Sequence, residues 1–76
     1  MAEGIYTMTL TERERNVLYY LAQGYKNNEI GKILNISVHT VKAHLETIYE
    51  KFGVTNRVQA VIKGLQYECF DVTELI

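Results

Sequence analysis

A chain of 76 residues with 47% hydrophobic content can bury one modest core, which leaves little room for a second domain or a deep substrate cleft. No proline, five glycines and few β-branched runs favour several helices joined by short turns over a sheet, and no apolar run approaches the ~18 residues that cross a bilayer. The formal net charge of −1 is low for a nucleic-acid binder, yet its distribution is uneven: residues 26–57 hold five bases against three acids, whereas the flanks sum to −1 and −2.

Residues 1–8 read as a flexible lead-in, and their start lacks the basic and apolar segments of a signal peptide. Together with a single cysteine, Cys69, which has no internal disulfide partner, this predicts a cytoplasmic protein. Thr11-Glu12-Arg13-Glu14 has the form of a capping box that opens a first helix over about 12–23. In that helix Val17, Leu18, Leu21 and Ala22 recur at helical spacing, and Gly24 stands where a left-handed C-terminal cap is needed. A second helix, roughly 28–34, is expected to be capped by Asn27 or Asn28, with Ile30, Ile33 and Leu34 as one apolar stripe.

Asn35-Ile36-Ser37 then makes a three-residue turn, because Asn tolerates the left-handed conformation, Ile36 can point inward and Ser37 can cap the next helix. Two helices joined this tightly must cross steeply. A third helix over 38–52 places Val38, Val41, Leu45, Ile48, Tyr49 and Phe52 on one face and stops at Gly53. Thr55 is expected to cap a fourth helix running to about Gln66, with Val58, Val61, Ile62 and Leu65 as its apolar stripe. Residues 68–76 read as a tail without clear period, in which Phe70, Val72, Leu75 and Ile76 can either extend an interface or hang free.

Opposite its apolar face the third helix presents one arc with His39, Lys42, Ala43 and Glu46 and another with Thr40, His44, Thr47 and Lys51. A rod of this kind suits the major groove, which is about 12 Å wide and admits an uncrowded helix. Ala43 provides room and a methyl for a thymine methyl, Lys42 can donate to guanine O6 and N7, and Glu46 can accept from the cytosine amino group. His39 shares their arc, so these four are the candidate base readers. Thr40, His44 and Lys51 suit phosphate oxygens, as do Lys26 and Asn28 at the start of the second helix and Arg57 at the start of the fourth. Each has a plainer reading. Lys42 and Glu46 are four residues apart, a spacing that favours an ion pair along the helix surface. His44 can be a packed, hydrogen-bonded side chain, and Arg57 can tie the fourth helix to a carboxylate of the first.

Read together, Leu10-Thr11-Glu12-Arg13-Glu14, Leu21-Ala22-Gln23-Gly24, Asn28-Glu29-Ile30, Ile36-Ser37, Thr40-Val41-Lys42-Ala43-His44, Lys51-Phe52-Gly53-Val54 and Asn56-Arg57-Val58-Gln59-Ala60 strongly resemble the LuxR-type (GerE-like) helix-turn-helix domain of bacterial transcription regulators. The resemblance covers about residues 9–66, and the expected domain spans 9–67. It implies an all-α, four-helix domain that binds double-stranded DNA, with helices two and three as the helix-turn-helix and helix four commonly used for dimerisation. It also implies that Lys42, Ala43 and Glu46 face bases and that Thr40, His44 and Lys51 lie near the DNA backbone. Two positions depart from the family pattern: Glu46 stands where a basic, polar or small residue is usual, and Gly31 replaces an alanine at a cost of ~1 kcal/mol in helix propensity. Such domains end longer regulators with a receiver or ligand-binding domain or, in a few cases, stand alone, and both arrangements suit this chain.

A homodimer reading two half-sites is expected, with Val61, Gly64 and Leu65 of helix four as the candidate surface. Alternatives are a sigma-factor-type promoter module whose partner is RNA polymerase, and a protein-interaction module that has lost DNA affinity, the latter motivated by the −1 charge and Glu46. An enzyme is not expected. His39 and His44 lie on different arcs of one helix, and no glycine-rich phosphate loop or paired acids appear, so no catalytic residue, metal, cofactor or small-molecule ligand is implied.

Overall fold

The computed structural model describes residues 10–67 and Cys69; the lead-in and most of the 68–76 tail lie outside the described residues. Four helices follow one another among the described residues: α1 (Glu12–Ala22), α2 (Asn27–Leu34), α3 (Val38–Phe52) and α4 (Arg57–Gln66). At the head of α1 the capping box forms as expected, with the Glu14 N–H donating to Thr11 Oγ1 at 3.1 Å and the Thr11 N–H donating to Glu14 Oε1 at 3.0 Å. Gly24 takes φ +99° just beyond the helix, so the chain turns into α2 without a side chain to strain it.

The caps of α2 and α4 differ from the expected ones. α2 begins a residue earlier, at Asn27, and neither asparagine supplies its cap. Instead the Glu29 carboxylate reaches back to accept from the Lys26 N–H at 2.8 Å, half of a capping box with an acid at its third position. On α4 the cap is Asn56, whose Oδ1 accepts from the Gln59 N–H at 2.9 Å, while Thr55 donates its own N–H to Gln59 Oε1 at 3.1 Å. Asx side chains outrank threonine at this position, so the substitution of one cap for its neighbour follows the ordinary preference.

Between α2 and α3, Asn35 adopts the left-handed conformation (φ 60°, ψ 46°) and Ser37 Oγ accepts from the Thr40 N–H at 3.0 Å. The Ile36 N–H donates to the Gly31 carbonyl at 2.9 Å, which folds the turn back over α2. A Cβ built on Gly31 would stand 2.7 Å from the Ile36 carbonyl oxygen. Gly31 is therefore the residue that lets α2 and the turn approach, and not simply a loss of helix propensity.

α3 is the axis of the packing, touching α1, α2 and α4. Its Val41, Leu45, Ile48 and Phe52 are buried with Leu10, Val17, Leu18, Leu21, Ile30 and Ala60. At about 1.5–3 kcal/mol for each large side chain removed from water, this cluster is what fixes the four helices relative to one another. Three expected stripes are corrected. Ile33 of α2 is exposed, as is Val38 at the first position of α3. In α4 the fully buried residues are the small ones, Ala60 and Gly64; Val61 and Leu65 are half-buried against the core, whereas Val58 and Ile62 point out. Small residues at this spacing let the backbone of α4 lie close to the rest of the core. Beyond α4, Tyr67 meets the edge of Phe52 at 5.3 Å between ring centroids, closing the far end of the core.

Candidate nucleic-acid interface

Because four large residues anchor one side of α3, its other side is free. His39, Lys42, Ala43 and Glu46 are all exposed and together line one shallow hollow along the front of the helix. Lys42 and Glu46 also border a second hollow, shared with Asn27 of α2, with Leu45 and Tyr49 of α3, and with Arg57 of α4. The surface ion pair favoured by the spacing of Lys42 and Glu46 does not form, so neither charge is neutralised by the other. The front thus carries a donor, a small methyl and an acceptor, all open to solvent.

The expected phosphate contacts divide. Lys26 and Asn28 are exposed at the head of α2, although the Lys26 backbone N–H is already taken by Glu29. Thr40 is half-buried and its hydroxyl meets that of Ser37 at 2.9 Å. Arg57 does not reach a carboxylate of α1: its Nη2 donates to Asn27 Oδ1 at 3.2 Å, joining the starts of α4 and α2 at the second hollow. Asn27 was not among the expected site residues, and nothing in its spacing marks it, because its partner lies 30 positions away.

Lys51 has a partner within the domain. Its Nζ donates to Glu14 Oε1 at 2.7 Å, joining the end of α3 to the start of α1. Burial alone would raise the Glu14 carboxyl. The Lys51 hydrogen bond, the Thr11 N–H, and the charges of Lys51 and His44 outweigh it and hold the group below its ordinary value. Lys51 is thereby a tie between helices, and His44, half-buried, lies close enough for its charge to act on the same carboxylate. Of the expected dimer residues, Gly64 is buried and Val61 and Leu65 face the chain's own core; the apolar side chains that α4 exposes are Val58, 65% accessible, and Ile62, 49%. No helix among the described residues is long and apolar enough to cross a membrane. No group of three or more metal-ligating side chains occurs among them either.

Two helices joined by a three-residue turn, the second anchored behind and open in front, define a helix-turn-helix domain of the DNA-binding kind. The family profile described as "Bacterial regulatory proteins, luxR family" matches residues 8–63, and the chain belongs to that family of transcription regulators. It is 52% identical over 54 residues to a putative HTH-type transcriptional regulator, YhjB, of Escherichia coli (strain K12), covering 71% of this chain and 27% of the relative. To the nitrate/nitrite response regulator protein NarP of the same organism it is 51% identical over 57 residues, 75% of this chain and 26% of NarP. To the response regulator protein VraR of Staphylococcus aureus (strain Mu3 / ATCC 700698) the identity is 45% over 58 residues, 76% of this chain and 28% of VraR. The chain therefore spans about a quarter of the length of the curated relatives it matches.

Proposed function

We propose that this domain reads double-stranded DNA in sequence-specific fashion by laying Val38–Phe52 in the major groove, and that it supplies the DNA-binding output of a cytoplasmic transcription regulator of the response-regulator kind. The observation that carries this reading is the solvent-open front of α3, on which the side chains of His39, Lys42, Ala43 and Glu46 have no competing partner among the described residues. Lys42 is assigned to guanine and Ala43 to a thymine methyl, with His39 at the edge of the same arc. Lys26, Asn28, Thr40, His44 and Arg57 hold the flanking phosphates. Lys51, engaged by Glu14, takes a structural part instead.

Two copies bind two half-sites, joined through α4 by the exposed Val58 and Ile62 in place of Val61, Gly64 and Leu65. RNA polymerase is the further partner that regulation of transcription calls for. Fluorescence anisotropy on a random duplex at low salt tests the reading directly. Binding at micromolar protein is expected, and Lys42→Ala lowers affinity unevenly across sequences, by ~1–3 kcal/mol on the best site. No binding would overturn the DNA reading in favour of a protein-interaction module, and equal losses on every duplex would reduce Lys42 to a phosphate contact.

A further inference from the structure

Glu46 is an acid on a surface expected to meet a polyanion. It is exposed, it borders both hollows of the reading front, and it pairs neither with Lys42 one turn before it nor with Arg57, whose guanidinium is held by Asn27 at 3.2 Å. A carboxylate there only accepts hydrogen bonds, and it repels phosphate on every duplex alike. In the major groove it can be satisfied in few ways. Guanine offers only acceptors, N7 and O6, and thymine offers its O4 acceptor and a methyl. Adenine sets an N7 acceptor beside its amino donor, whereas cytosine presents its N4 amino group without a neighbouring acceptor of its own.

We propose that Glu46 sets the base preference of this domain by requiring a cytosine in each half-site, and that Lys42 and Arg57 on the rims of the two hollows supply the positive field in which a carboxylate can approach DNA. The proposal rests on the DNA-reading function above. Lys42, a donor only, and Glu46, an acceptor only, stand one turn apart, so the expected half-site holds a guanine and a cytosine read by the two. The same carboxylate weakens binding to every other sequence, so it makes the domain more selective than its few cations alone would.

The test is selection of bound sites from a random duplex library with the wild-type chain, Glu46→Gln and Glu46→Ala, followed by anisotropy on the selected site. The wild-type motif should contain a cytosine position at which replacement by a T·A pair lowers affinity roughly 10- to 100-fold. Glu46→Gln should move that position to adenine and leave the others in place. Glu46→Ala should flatten it and strengthen binding to random duplex. Arg57→Gln should cost more affinity in the wild-type background than beside Glu46→Gln. Motifs that are identical at every position in all three proteins would overturn the assignment, and equal losses from Arg57→Gln in both backgrounds would overturn the role of the field. A wild-type chain that selects no sequence and binds no duplex would sink the DNA reading itself, a result distinct from an unchanged motif. Because Glu46 is exposed and unpartnered, its variants should fold, which circular dichroism verifies.

Discussion

A single carboxylate, that of Glu14, closes the first turn of α1 and ties α1 to the end of α3 through Lys51. Its carboxyl titrates below the ordinary value, so the sign of its linkage to stability is set: the contribution is fully present above about pH 4.3, the ordinary glutamate value, and is lost as the pH falls through the depressed folded-state value. Glu14→Gln should lower stability at neutral pH by about 2 kcal/mol and flatten the acid limb of the curve, as followed by urea midpoints between about pH 2 and 7. Unchanged acid behaviour would remove Glu14 from that role. Lys51→Met should destabilise to a similar degree while leaving the salt dependence of DNA binding unaltered. A true phosphate contact would instead reduce the slope of log K against log salt by about 0.9.

The helix-turn-helix depends on how closely α2 can approach its turn. An alanine at position 31 gains roughly 1 kcal/mol in helix propensity, but its Cβ meets the Ile36 carbonyl, a backbone atom that cannot rotate away. Overpacking of that kind costs about 1–3 kcal/mol, so the clash outweighs the gain. Gly31→Ala should therefore lower Tm, and because the shifted turn carries Ser37 and the start of α3, DNA affinity should fall with it. A higher Tm would mean that the turn relaxes at little cost. Where the element ends, local chemistry is enough: Asn35 and Gly53 take left-handed conformations at φ 60° and φ 68°, and each stops a helix where the apolar period stops.

The four helices together leave two surfaces exposed, the front of α3, proposed above to read bases, and the outer side of α4, proposed to meet a second copy. Val58 and Ile62 contribute little to the core, so Val58→Ser with Ile62→Ser should leave Tm near the wild-type value. The same pair should lower affinity for a duplex with two half-sites by about 100-fold or more while sparing a single half-site, because only linked copies gain effective concentration. Equal affinities of this variant and the wild type on the two-site duplex would place the contact between copies elsewhere. Charge acts across the whole domain as well. With a net charge of −1 and Lys51 engaged by Glu14, few cations remain for phosphate, and the salt dependence per copy should be shallow.

Four helices, their stops, the Asn35-Ile36-Ser37 turn and the polar front of α3 were determined by the sequence alone. Each rests on interactions within a few residues: a capping hydroxyl, a left-handed Asn or Gly, an apolar repeat of the helical period. The tertiary structure alone decided the rest. α4 carries two apolar stripes, and periodicity cannot rank Val58 with Ile62 against Val61 with Leu65; only the close approach permitted by Ala60 and Gly64 turns the second inward. Lys51 and Arg57 look like free cations along the chain, yet their partners Glu14 and Asn27 lie 37 and 30 positions away. A side chain's reach is local in space and not in sequence, so which cations are engaged within the domain was settled by how the helices pack.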